Sequence, residues 1–328
     1  MKYFDLHCDT IEELKKRGEN FLNSTTQFTI QDQERFEAAV QCMAVWVPDS
    51  IRGRAAVEFT DSHLAYLETL VEMIPERAVL ADSASELQKG VEEGKWVFIR
   101  TIEGGAALGG DLEKIVHFAK KKIKMMTLTW NGENELGSGC AGTGGLTGFG
   151  KEAVKLMEEN GIIVDCSHLN DAGFEDLLNI TKRPFVASHS NLRSCCEVPR
   201  NLREDQFVEL VRRGGLCGIN YIPFHFCSGS EGRGGARTAV SPYIQDAGAG
   251  RRGLYRLGNR SGRTDHLRPF PWLAVLERLP LEHILRSGGF PEGAVKKFCF
   301  GKCVPLFFNL ICGKKLRCNS HQIFVYYK

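Results

Sequence analysis

Apolar, β-rich runs alternate with helix-period runs along the first two thirds of the chain. That alternation constrains the fold more than any other feature. The β-rich runs fall at about 2–7, 39–47, 96–102, 122–129, 161–166, 184–188 and 215–222. Helical patterns at 55–73, 83–95, 111–121, 148–160, 171–180 and 203–213 separate them, and Glu12 to Arg17 suits a further short helix. Gly161 and Gly214 stand where two of these helices should end. Strands that alternate with helices pair in parallel, because each crossover helix returns the chain to the same end of the sheet. Seven such runs predict an α/β protein, and one more strand would close a (β/α)8 TIM barrel. A weak eighth candidate lies at Gly253 to Leu257.

The remaining sequence sets bounds. A chain of 328 residues can bury one large α/β core. It has no run of about 18 apolar residues, so no membrane span is expected. Met1 to His7 has no apolar stretch of the signal-peptide kind, which predicts a cytoplasmic protein. There are 12 cysteines but no C-x-x-C pair, and several lie inside apolar runs, as Cys42, Cys166 and Cys217 do. They read as small buried hydrophobes rather than bridges. Residues 1–227 carry 25 Lys+Arg against 34 Asp+Glu, whereas residues 228–328 carry 17 against 6. The expected division is therefore 1–227, seven strands with the site, and 228–328, an aberrant basic part in place of the last barrel unit. Residues 228–268 hold nine glycines and eight arginines and lose the hydrophobic period. A segment read out of frame accounts for that better than a nucleic-acid tail, since no nucleic-acid motif is present.

Candidate chemistry sits at strand ends. His7 and Asp9 follow the first run and, two residues apart, point the same way, with Cys8 turned into the other layer. Glu103 ends the run from Trp96 to Ile102 and is followed by Gly104 and Gly105. His168 and His189 end two consecutive strands, so their imidazoles should be near neighbours. Any one of these is compatible with a capping or rim residue. Together, histidines and carboxylates without cysteine on one rim suit a hydrolytic Zn²⁺ site, or a pair of ions bridged by a carboxylate. Gly137 to Gly150 lacks the spacing of a phosphate loop and predicts a flexible loop beside the site.

Five motifs carry a family resemblance: Asp5-Leu6-His7-Cys8-Asp9-Thr10, Ile102-Glu103-Gly104-Gly105, Thr127-Leu128-Thr129-Trp130-Asn131, Asp165-Cys166-Ser167-His168 and Ala187-Ser188-His189-Ser190-Asn191. Together with Val198 to Leu202 they resemble the membrane dipeptidase (renal dipeptidase) family of zinc metallopeptidases, over roughly the first two thirds of the chain. The resemblance implies an amidohydrolase-like (β/α)8 barrel with irregular last units. It also implies a binuclear zinc site and hydrolysis of a dipeptide substrate, including one with a D-residue in second place. His7 and Asp9 would hold one ion, His168 and His189 the other, and Glu103 would bridge them. Arg200 would bind the substrate carboxylate, with Asn131 and Tyr221 as lesser substrate contacts. Neither nucleic acid nor membrane is an expected partner, and homodimerisation is compatible with the resemblance. The alternatives are a metal-dependent amidohydrolase acting on N-acyl amino acids or lactams, and a metal-binding remnant without catalysis.

Two departures matter. Animal-type members have a histidine after Leu-Thr, where this chain has Trp130 and Asn131. The family's eighth strand ends in a Gly-Ser/Thr-Asp-Phe-Asp-Gly pattern whose first aspartate handles the proton. Here Arg260 stands in its place, and Asp265 is a weak substitute five residues on. The catalytic proton carrier is therefore unassigned, and impaired activity is expected.

Overall fold

A computed structural model describes residues 2–26, 30, 36, 38–194, 196–220 and 325–327. The elements run β1 (Lys2–Asp5), α1 (Thr10–Arg17), β2 (Ala38–Trp46), α2 (Gly53–Glu72), β3 (Ala78–Leu80), α3 (Ala84–Glu92) and β4 (Trp96–Glu103). They continue with α4 (Glu113–Lys120), β5 (Met125–Thr127), α5 (Gly148–Glu159), β6 (Ile163–Asp165), α6 (Asp171–Ile180), α7 (Glu204–Arg212), β7 (Cys217–Ile219) and β8 (Val325–Tyr327). Every strand pairing is parallel, in the order β1-β2-β4-β5-β6. β3 shares an edge of β4 with β5: β3 covers Trp96 to Phe98, and β5 covers Thr101 to Glu103. Single parallel bridges, Asp165 to Val186 and Ala187 to Cys217, carry the curl on from β6 to the β7–β8 pair.

This is the expected parallel α/β architecture, a curled half-barrel, with three differences. The run at 184–188 contributes isolated bridges rather than a ladder. β3 was not among the expected strands; it has three residues, and two of them are only partly buried. The strand beside β7 is Val325–Tyr327, whereas Gly253 to Leu257 and all of 228–268 lie outside the described residues.

β2 and β4 are apolar almost throughout because both their faces are covered, as parallel sheets require. Alternate residues feed two cores. Val40, Cys42, Val97, Ile99, Met125 and Ile163 fill the inside of the curl. Met43, Val45, Phe98 and Ile102 pack outward against helix residues such as Leu64, Leu67, Phe118 and Val154. Strand register then stacks the inner face in rows. Ala44, Thr101, Met125 and Ile163 form one row, and above it come Trp46, Glu103, Thr127 and Asp165. The polar row caps the apolar one at the carboxyl ends of the strands, where barrel folds place their chemistry.

The six described cysteines, Cys8, Cys42, Cys140, Cys166, Cys196 and Cys217, are free thiols. Four of them are buried, and burial pushes the Cys42, Cys166 and Cys217 thiols up, the last to about 12. No helix among the described residues is long and apolar enough to cross a membrane.

Candidate metal centre

Glu103 enters the rim as the last residue of β4, on the inner face with Val97 and Ile99. Gly104 follows with φ 108, a conformation closed to most L-residues, and its N–H bonds Thr127 O at 3.2 Å. The chain therefore turns sharply behind the carboxylate and leaves it facing inward, 3% exposed.

Three imidazoles converge on that carboxylate. Glu103 Oε2 lies 3.2 Å from His7 Nε2. Its other oxygen, Oε1, lies 2.9 Å from His168 Nε2 and 3.1 Å from His189 Nε2. His7 Nε2 is also 2.8 Å from Asp9 Oδ1, and the His7 and His189 rings stack with centroids 3.8 Å apart. All five residues read from the sequence as candidate ligands thus meet in one place. Cys8 packs into the outer layer, as the strand-face argument predicts.

Protonation follows from burial. Burial raises the Glu103 carboxyl, but the three surrounding imidazoles more than offset this and hold it well below the usual carboxylate range. Burial, with the nearby Arg200 charge, pushes His168 down to about 4. Burial and His7 push His189 well below its ordinary value. Near neutral pH the site therefore holds an ionised Glu103 carboxylate beside neutral His168 and His189 imidazoles, which is the state metal ligands need.

The His168–His189 pair makes the strongest case for a cation. Their Nε2 atoms lie 2.9 Å apart, both close to Glu103 Oε1. His168 Nδ1 sits 2.8 Å from Asn131 Oδ1, an acceptor, so its proton belongs there and Nε2 carries a lone pair. His189 Nδ1 faces Ser188 Oγ at 2.8 Å. Two lone pairs and a carboxylate oxygen aimed at one point repel each other unless a positive charge lies among them. Donor type and spacing fit a divalent ion of the zinc kind. His7, Glu103 and His189 also each offer a ligand atom within 4.8 Å of the others. His168 takes a left-handed φ of 71, uncommon for a residue with a Cβ and of the kind found at functional sites.

The other candidates are placed less uniformly. Arg200 is 5% exposed and donates to His189 O at 2.7 Å and Ser190 Oγ at 3.0 Å, while its buried Nε has no hydrogen-bond partner. Asn131 reaches the site through His168, and Cys140 Sγ stands 3.3 Å from the same Asn131 oxygen. Trp130 packs edge-on to Trp46 and lies beside the His168 ring at 6.4 Å. Tyr221, Arg260 and Asp265 lie outside the described residues.

The stretch from Gly137 to Gly150, expected to be flexible, is laced down, as are the residues from Asn131 that lead into it. Asp49 Oδ2 accepts from Gly132 N at 2.9 Å, and Arg52 donates to Glu133 O at 3.0 Å. Asn170 caps α6 through Oδ1 while its Nδ2 donates to Gly142 O and Gly144 O. Its glycines serve close packing: a Cβ on Gly139 would sit 2.0 Å from Trp130 O.

A parallel curled sheet with imidazoles and carboxylates on its C-terminal rim defines a TIM-barrel-like fold of the amidohydrolase type. The chain belongs to the membrane dipeptidase family (peptidase family M19), whose model matches residues 1–242. Two uncharacterised curated relatives agree in extent. One, from the region 5′ of pqqA in Klebsiella pneumoniae, is 30% identical over 48% of this chain and 61% of its own length. The other, from the region 3′ of PQQ-III in Acinetobacter calcoaceticus, is 26% identical over 51% and 55%. This chain thus spans only 61% and 55% of those relatives. Among solved structures, the metallopeptidase dipeptidase AC superposes with TM-score 0.70 at 21% identity, over 94% of this chain and 98% of that one. A Rhodobacter sphaeroides metallopeptidase liganded with a phosphinate mimic of the dipeptide L-Ala-D-Ala gives 0.69 at 19%, over the same shares. At these identities the likeness concerns the fold.

Proposed function

We propose that this chain is a zinc-dependent dipeptidase scaffold that binds about two ions on its rim, since paired metals clamp both sides of a displacement. His7 and Asp9 would hold one ion and His168 and His189 the other, with the Glu103 carboxylate available to both. The observation that carries this reading is the division of the Glu103 carboxylate, with Oε2 toward His7 and Oε1 toward His168 and His189. When bound, divalent ions supply a Lewis acid for the scissile carbonyl and a water of lowered pKa.

The protein's own groups hold and orient the substrate. Arg200 retains an unpartnered Nε–H and one further proton on each terminal nitrogen, enough for a bidentate grip on a dipeptide carboxylate. Asn131 commits Oδ1 to His168, while Nδ2 has no hydrogen bond among the described residues and can donate to a developing oxyanion. Family membership, and the L-Ala-D-Ala mimic bound by the Rhodobacter sphaeroides neighbour, support dipeptides with a D-residue in second place as the substrate class.

Turnover is expected to be low. Arg260 occupies the position of the family's proton-carrying aspartate, and a guanidinium stays charged. Positioned acid–base catalysis is worth about 10²–10⁴-fold. The test is a panel of dipeptides, L-Ala-D-Ala included, against N-acyl amino acids with zinc present and after chelation. Slow, chelator-sensitive cleavage of dipeptides supports the reading. Cleavage of N-acyl amino acids alone, or cleavage indifferent to chelation, refutes it.

A further inference from the structure

Around His189 the buried polar groups leave one arrangement of protons. Asp165 is fully buried and receives four donors. Thr127 Oγ1 and Ser188 Oγ approach at 2.5 Å each, and the backbone N–H groups of Ser167 and Ser188 at 2.9 Å each. Ser188 has a single hydroxyl proton. A short bond to a carboxylate that already accepts three other donors claims it over Ser167 Oγ, 3.3 Å away. Ser188 Oγ therefore turns a lone pair toward His189 Nδ1 at 2.8 Å, and the imidazole donates there. Nδ1–H leaves Nε2 with its lone pair, aimed at Glu103 Oε1 and His168 Nε2.

The strand register builds this chain of bonds. Thr127 and Asp165 are partners across β5 and β6, and Asp165 bridges to Val186, two residues before Ser188. On the far side, Arg200 fixes the backbone of the same histidine through His189 O. The ring is thus held at its outer nitrogen and at its own carbonyl, and Nε2 is the atom left to face the rim.

We infer that Asp165 and Ser188 are positioning residues that act through His189, fixing the proton on Nδ1 and presenting Nε2 to a divalent cation. Asn131 Oδ1 does the same for His168. The inference rests on the metal reading above and extends it to the groups behind the ligands. Outer partners of metal-bound histidines typically contribute about 10–100-fold to affinity or activity.

Asp165 also ties β5 and β6 to the segment at 184–188, so its own substitution risks the fold. Ser188 offers the cleaner test. The full chain is compared with Ser188→Ala and Ser188→Thr, with circular dichroism confirming equal folding. Zinc affinity is measured by chelator competition, and the His189 Nδ1–H is followed by NMR on protein labelled at histidine nitrogen. Zinc should bind Ser188→Ala about 10–100-fold more weakly, and Ser188→Thr, which keeps the hydroxyl, should restore binding. The His189 Nδ1–H should exchange slowly with water in wild type and Ser188→Thr and lose that protection in Ser188→Ala, while the His168 Nδ1–H keeps it. Unchanged zinc affinity in Ser188→Ala, or a His189 proton still protected there, would overturn the inference. The same proton is followed in metal-free protein. If folded wild type takes up no zinc but shows the Ser188-dependent Nδ1–H, the relay stands and the metal reading falls. An Nδ1 without a proton in wild type sinks the relay.

Discussion

Glu103 is the residue on which both halves of the centre depend. One oxygen serves His7 and the other serves His168 and His189, so a carboxamide of the same size cannot replace it: one of its ends would be a donor facing a metal. Glu103→Gln is expected to lower zinc from about two ions per chain to less than one, with hydrolysis falling in step. Elemental analysis of protein purified without chelators measures this, and full occupancy in the variant would remove Glu103 from the bridging role. The five candidate ligands were legible because each stands at the end of an apolar run, where parallel strands share one rim. Asp165 and Ser188 were not singled out, although both belong to quoted motifs. Their meaning depends on the register of β5, β6 and the bridge at Val186, which no local pattern encodes. Asn131 was picked for its position, but its contact with His168 Nδ1 is visible only once the chain is folded.

At the scale of elements, fully apolar runs and amphipathic helices announce themselves even where the paired ladder is only three residues long, as in β5, β6 and β7. β2 and β4 are long enough for their apolar character to be plain. β3 has three residues, two of them only partly buried, so it carries no period that sequence can reveal, while 184–188 shows as an apolar run but pairs only through isolated bridges. The Gly137–Gly150 stretch shows the opposite error, in which glycine content suggested freedom. There the glycines let backbone pass close to backbone, and the stretch is bonded to Asn170 and Asp176, while Asp49 and Arg52 hold Gly132 and Glu133 just before it. Gly139→Ala tests this directly, because its Cβ would fall 2.0 Å from Trp130 O and displace the stretch that carries Asn131. Overpacking of this kind costs about 1–3 kcal/mol. Urea unfolding should show that loss, together with weaker zinc binding through the disturbed Asn131–His168 contact. A variant as stable as wild type would mean that the segment yields, as a flexible loop does.

For the whole molecule, we propose that residues 1–227 assemble the metal centre and that residues 228–328 do not supply the proton carrier. Replacing 228–268 with a family-type strand end bearing the aspartate is therefore expected to raise dipeptide turnover by about 10²–10⁴-fold without changing the metal content. Equal turnover in the two chains, or robust turnover of the present chain abolished by Asp265→Asn, would contradict that division. The half-barrel was legible because alternation of strand and helix leaves few topologies open, and the basic C-terminal third resisted reading because its hydrophobic period is lost. The proposed activity depends on the rim holding metal. The most direct test is zinc stoichiometry on the intact chain, by titration calorimetry with elemental analysis of the product. About two ions per folded chain are expected. A folded protein that binds none would contradict it.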